Sequence, residues 1–179
     1  MKLGVTELAE LDILRQNLPG LFTQPGRSML YVGANRVRPP HHAFTLTLAG
    51  WQLHLLEIDA TNLKHHGNNG NTDLFETYWL QDVRNIDFPH GLLDAVFWWH
   101  GPEHIPQADL PATLSKLEAA APLVVLGCPH GPSPQDDVYG NEAERHLWDV
   151  YPADLQRYGY EVREYDCSIR HLLAWKGTP

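Results

Sequence analysis

Leu8, Leu11, Leu14 and Leu18 lie three or four residues apart near the start of the chain. That spacing predicts an amphipathic helix over residues 3–17, ended by Pro19-Gly20. The period then changes. SMLYVG (28–33) is a short buried-strand run that stops at a glycine. Residues 40–49 predict a helix, with Pro40 at a favoured first-turn position and Gly50 as its stop. WQLHLLEI (51–58) predicts a second strand and ETYWLQDV (76–83) a third. Between them, HHGNNGNT (65–72) has loop composition, because Asn and Gly tolerate positive φ.

LLDAVFWW (92–99) and LVVLGC (123–128) are nearly continuous apolar runs and read as strands covered on both faces. Residues 108–120 predict the helix between them, with Leu110, Leu114 and Leu117 on one side. The Pro/Gly-rich stretch 129–140 is too long for a simple connection and reads as a lid or binding loop. Residues 141–158 predict one or two helices, broken near Pro152 and ended by Gly159. YEVREY (160–165) and IRHLLAWK (169–176) flank Asp166-Cys167-Ser168 and read as an antiparallel hairpin. Strand–helix alternation implies parallel pairing, right-handed crossovers and helices on both faces of an α/β sheet.

A length of 179 residues with no repeat or composition break implies one domain over 1–179, with an N-terminal helix (1–20) and a core (28–176). No stretch approaches the roughly 18 apolar residues of a membrane span. Met1 to Glu7 places an acid where a signal peptide would be apolar, so a cytoplasmic protein is expected. Cys128 and Cys167 form no CxxC; they are read as small core residues in a reducing compartment, without a disulfide or a cysteine zinc site. The formal charge of −9 disfavours non-specific nucleic-acid binding and points to a small-molecule substrate. Oligomeric state leaves no mark on the sequence.

In an open sheet of this kind, ligands sit beyond the carboxyl ends of the strands. Gly33 ends the first strand, where a glycine lets a ligand approach the backbone or simply makes a tight turn. Glu57 ends the second, 24 residues later. A carboxylate there can accept both hydroxyls of a ribose. Asp59 shares its strand parity and is the alternative; the last apolar residue before the acid favours Glu57. Asp82 closes the third strand, where it can accept from an exocyclic amine of adenine. Beyond the fourth strand, Trp99 to His104 form a polar, glycine-containing corner with the shape of an active-site rim.

The stretch LDAVFWWHGPEHI (93–105) resembles the fourth motif of the class I S-adenosylmethionine-dependent methyltransferases, a Phe-Asp-x-Val strand ending in His-x-x-Glu-His-Ile. Asp94, Val96, His100, Glu103, His104 and Ile105 fall in register with it. The next helix, the strand LVVLGC and the C-terminal hairpin are similar to the family's following elements, so the resemblance covers roughly residues 28–176. It implies a Rossmann-like three-layer sandwich on a mostly parallel seven-stranded sheet with an antiparallel C-terminal hairpin. It also implies S-adenosylmethionine as cofactor, bound by Tyr31, Gly33, Asn35, Glu57, Asp82, Val83 and Trp99. The chain departs from the family's first motif, which has an acid at Tyr31 and glycines at Asn35 and Val37. The segment from Arg36 to Pro40 also delays the following helix.

The reaction so implied is in-line displacement of a sulfonium methyl, with His100 as the candidate base. Two alternatives follow from the same residues. The altered first motif suggests a methyltransferase-like module that has lost catalysis. His100-Gly101-Pro102-Glu103-His104 also spells the inverted zinc-protease motif. That chemistry needs both histidines on one helical face, which Gly101 and Pro102 oppose, so no metal ligand is assigned. His41-His42 and His65-His66 read as loop or helix-surface residues, while His130 and His146 reach the pocket only if the 129–140 loop folds over it. Trp98 and Trp99 must point to opposite faces. Arg36 and Arg38 read as solvated. The GxGxxG pattern of dinucleotide oxidoreductases is absent.

Overall fold

Seven segments become strands of one sheet: β1 Ser28–Val32, β2 Gln52–Glu57, β3 Thr77–Leu80, β4 Ala95–Trp99, β5 Leu123–Pro129, β6 Glu161–Asp166 and β7 Arg170–Lys176. The computed structural model describes residues 5–23, 27–34, 41–68, 74–138 and 140–178. Within these, α1 spans Val5–Asn17, α2 His41–Leu48, α3 Ala60–Asn68, α4 Leu110–Ala120 and α5 Pro152–Gln156. The strand order is β3-β2-β1-β4-β5-β7-β6. β1 to β5 pair in parallel, and β7 joins antiparallel between β5 and β6.

Every residue of β4 and β5 is buried, as unbroken apolar runs in a doubly covered sheet require. Alternation then divides the side chains between two cores. Tyr31, Phe97, Trp99, Val125 and Leu173 pack on the side of α1 and α2. Leu30, Val96, Trp98, Val124 and Leu126 pack on the side of α4 and α5. Trp98 and Trp99 thus take opposite faces, as their adjacency demands. Phe97, at the centre, is fully buried and stacks on Tyr31 (5.4 Å) and Trp99 (5.3 Å between centroids). No helix among the described residues is long and apolar enough to cross a membrane.

Four expectations need correction. The buried stripe of α1 does not include Leu8, which is 47 % exposed; Glu10 is buried in its place beside Leu11, Leu14 and Leu18. His65 begins no loop, because α3 continues to Asn68 from an N-cap at Asp59 whose Oδ1 accepts from the Thr61 and Asn62 amides (2.7 and 2.8 Å). Of the helices expected over 141–158, only the 3-10 turn Glu142–Glu144 and the short α5 form, and Pro152 starts α5 rather than breaking a helix. Cys167 is not a core residue: it is half-buried in the β6–β7 turn, whereas Cys128 is buried. Asn35, Arg36, Val37, Arg38 and Pro40 lie outside the described residues.

Candidate functional site

The chain reaches the sheet edge at β3 and returns to the middle at β4, so β1 and β4 are neighbours whose following connections diverge. Such a switch point opens a crevice at the strand ends. Here it is a cleft of about 620 Å³, lined by residues including Tyr31, Gly33, Glu57, Asp82, Val83 and Trp99. Strand-end logic therefore brings together all the expected cofactor residues except Asn35, which lies outside the described residues.

Gly33 turns out of β1 at φ 75°, a backbone conformation that favours glycine, and its amide donates to the Leu56 carbonyl at 2.9 Å. This turn brings the Ala34 amide to Glu57 Oε2 (2.9 Å), while the Asp59 amide reaches Oε1 (2.9 Å). Parity left Glu57 and Asp59 open; the structure separates them, because Asp59 caps α3 and Glu57 faces the cleft. Burial raises the Glu57 pKa to about 7, with the two amides pulling the other way.

Asp82 also lines the cleft, but its oxygens are committed. They accept from the Arg84 amide (2.8 Å) and from the Arg84 guanidinium (2.6 Å at closest). Burial opposes its charge, yet Arg84 holds its pKa below the usual range. Arg84 is in turn shared with Asp109 at 3.0 Å. Of this pair, Val83 is the one with an apolar surface to offer a base.

The rim is richer in ionisable groups than spacing suggests. Glu10 projects from α1 into the cleft, with its carboxylate 2.9 Å from His41 Nε2, 3.5 Å from His42 Nε2 and 3.7 Å from His100 Nε2. Burial opposes its charge, but these histidines lower its pKa strongly. His42, expected at the surface, is 2 % exposed and stacks on Trp99; burial keeps it neutral. Tyr31, which stands where the resembled family carries an acid, is buried beside Glu10, and burial pushes its hydroxyl pKa up. A carboxylate from α1, that of Glu10, therefore lies beside Tyr31 at the end of β1.

His100 leaves β4 at φ 51°, an uncommon conformation for any residue but glycine, anchored by its amide on the Gly127 carbonyl (2.8 Å). Its ring lies between two carboxylates, Glu103 at 3.4 Å from Nδ1 and Glu10 at 3.7 Å from Nε2. The ring is partly open to the cleft; loss of water around it opposes the charge, but the two acids outweigh this and raise the pKa to about 10. A ring protonated on both nitrogens has no lone pair for an acceptor proton, so this geometry does not support the base expected at His100. Nor do His100 and His104 converge as the inverted zinc-protease motif requires: His100 faces Glu10 and His171, while His104 faces His146.

The loop after β5 does fold over the cleft, lining it with Ser133, Gln135, Glu144 and His146. His130 turns away to Glu164 (3.1 Å). Sequence reasoning missed Glu10, His42 and His171. A buried acid within an otherwise leucine-bearing helix stripe was the available signal for the first.

No protein-family model and no curated protein matches the sequence. Solved structures share its fold. An S-adenosylmethionine-dependent methyltransferase from Methanosarcina mazei superposes with a TM-score of 0.68 at 9 % identity, covering 89 % of this chain and 96 % of the other. The 1,6-didemethyltoxoflavin-N1-methyltransferase of Burkholderia thailandensis, solved with 1,6-didemethyltoxoflavin and S-adenosylhomocysteine bound, gives 0.63 at 15 % identity over 94 % and 76 %. An S-adenosylmethionine-dependent methyltransferase from Aquifex aeolicus gives 0.56 at 15 % over 98 % of each chain. The chain has the class I methyltransferase fold.

Proposed function

We propose that this chain is an S-adenosylmethionine-dependent methyltransferase acting on a small-molecule acceptor. The observation that carries the reading is the single cleft at the β1–β4 switch point that gathers Gly33, Glu57, Val83 and Trp99. Two features of the cleft fit the cofactor. Glu57 keeps acceptor capacity beyond its two amide bonds, at the strand end where a ribose would lie. Trp99 lines the same cleft at the end of β4 and offers an apolar wall to the uncharged part of a ligand.

Bound there, S-adenosylmethionine supplies an electrophilic methyl: the acceptor lone pair forms the new bond to carbon, and the C–S pair leaves on sulfur as a thioether. The chain's part is placement. Holding an O, N or C nucleophile near 3 Å and in line contributes up to about 7–11 kcal/mol. Gly33 and Tyr31 would border the methionine part, with Glu57 at the ribose and Val83 against the adenine. Glu10, charged and buried beside Tyr31, would receive the ammonium in place of the missing first-motif acid. Trp99 and His100 would border the methyl, with His100 as a charged positioning group. The acidic balance of the chain favours a small acceptor over nucleic acid. The free cysteines Cys128 and Cys167 accord with a cytoplasmic setting.

Calorimetric titration with S-adenosylmethionine and S-adenosylhomocysteine tests this. Both should bind, and Glu57→Ala and Glu10→Gln should each weaken binding about tenfold or more, the worth of one charge-assisted contact. No heat and no thermal stabilisation at millimolar ligand would overturn the cofactor claim and leave a binding module with a methyltransferase fold.

A further inference from the structure

Beyond the cofactor end, the rim holds a second constellation. The 3-10 turn Pro102–His104 directs Glu103 inward, where it is 2 % exposed and neither carboxylate oxygen has a hydrogen-bond partner. A buried carboxylate left so is costly unless a cation or donor completes it. Imidazole nitrogens surround Oε1: His104 Nε2 at 3.9 Å and His146 Nε2 at 4.0 Å, besides the His100 contact already described.

The tautomers of His104 and His146 are set from behind. His104 Nδ1 lies 3.2 Å from the Arg145 carbonyl, and His146 Nδ1 is hydrogen-bonded to the Ser133 carbonyl. A carbonyl only accepts, so each Nδ1 carries the proton and each Nε2 presents a lone pair. In that tautomer two lone pairs and a carboxylate oxygen converge, the donor set that a metal ion takes. The charged His100 ring meets Oε1 from one side at 3.4 Å, and a metal ion held by the two Nε2 atoms would complete it from the other.

We propose that Glu103, His104 and His146 form a binding site for one divalent transition-metal ion of the zinc class. Two imidazoles and one carboxylate are a ligand set that leaves zinc an open fourth position. Tetrahedral donors at about 2.0–2.1 Å from zinc lie about 3.4 Å apart. The three donor atoms already lie within 4.8 Å of one another, so small side-chain rotations close the site. The carbonyls of Arg145 and Ser133 are the outer supports that orient metal-binding histidines. The ligands join the corner after β4 to the loop after β5, while the His100 ring turns to Glu10 and His171 instead. His104 and His146 line the cleft, so the open position faces it and can take an oxygen or nitrogen of the acceptor. That last role rests on the methyltransferase reading; the ion itself does not.

The test uses the full chain, stripped with chelator and free of S-adenosylmethionine, titrated with Zn²⁺ and with Co²⁺ by calorimetry, with elemental analysis after dialysis. One ion per chain is expected, and bound Co²⁺ should show the visible absorption of a tetrahedral site. Glu103→Gln, which preserves volume, and His146→Ala, in a loop outside the two cores, should each weaken Zn²⁺ binding about a hundredfold. His54→Gln, on β2, should leave it unchanged. Zn²⁺ should raise the melting temperature of the stripped wild type and not that of His146→Ala. Absence of a stoichiometric ion overturns the proposal. So does binding that survives His146→Ala but is lost in Glu10→Gln, which would put the ion on Glu10, His41 and His42. Because the cofactor is absent from every arm, failure here is separable from failure of the methyltransferase reading.

Discussion

Replacing Glu57 with glutamine isolates the electrostatic cost of a carboxylate at the end of β2. The side chain is 4 % exposed. Burial raises its pKa from 4.5 to about 7; the Ala34 and Asp59 amides oppose the rise, and the charges of Glu144 and Asp59 add to it. A raised folded-state value means that the folded chain keeps a proton that the unfolded chain has released. The associated stability is complete below the unfolded value and is lost as the pH climbs through about 7. Integrated between about pH 5 and about pH 8, the wild type should lose about 2.5 kcal/mol relative to Glu57→Gln. The glutamine does not titrate, so any fixed penalty from its altered hydrogen bonds cancels when the difference is followed across pH. For a chain of this size the change corresponds to about 5–10 °C in Tm, within reach of thermal or urea unfolding at several pH values. A wild-type-minus-variant difference that stays constant within about 0.5 kcal/mol over that window would refute the reasoning. Ribose hydroxyls donating to this carboxylate would favour its anion, so S-adenosylhomocysteine binding near neutral pH should also release a proton. Heats that do not vary with buffer ionisation enthalpy would deny that linkage.

Phe97→Ala removes a fully buried ring held between Tyr31 and Trp99 and should cost about 3–5 kcal/mol, a loss of about 10 °C in Tm or more; a loss of only a degree or two would contradict the packing described. Gly127→Ala would put a methyl 2.4 Å from the Trp99 indole, so the ring must shift. The expected cost is about 1–3 kcal/mol with a changed tryptophan emission, and an unaltered spectrum would count against it. Cys128 is buried with its thiol pKa pushed well up, whereas Cys167 is partly exposed. A thiol reagent should therefore label one cysteine in the native chain and both after denaturation, with Cys167→Ser abolishing the native label.

The sheet was legible because its pattern is physical and local. Nearly continuous apolar runs at 92–99 and 123–128 have no stable place except between two layers, and β4 and β5 occupy it. The hairpin of β6 and β7 was equally readable from two short runs around a turn, and its antiparallel pairing is observed. Glu57 was legible as a strand-end acid and was favoured over Asp59 by the apolar residue before it; parity is shared, and the α3 cap is what separates the two in the structure. Asp82 was misjudged in its partner: the guanidinium two residues later occupies the oxygens that an adenine amine would need. Local spacing does not announce such a competitor, because Arg84 folds back onto Asp82 through the 3-10 turn that follows β3.

The histidines mark where sequence reading stops. Glu10 comes from α1, His42 from α2, His100 and His104 from the corner after β4, His146 from the loop after β5, and His171 from β7. No window of the chain holds more than a pair of them, and each pair alone has a bland explanation. Their assembly is a consequence of topology: every one of these segments meets at the same end of the sheet, where strand order reverses. Once assembled, they cannot behave independently. The acids on either side keep His100 charged, burial keeps His42, His104 and His171 neutral, and Glu103 is left without a hydrogen-bond partner. That division of charge sets an ion cluster of His100 with Glu10 and Glu103 beside Trp99 apart from the neighbouring pair of imidazoles, His104 and His146. A methyl donor and a metal-held acceptor would meet where those two regions join.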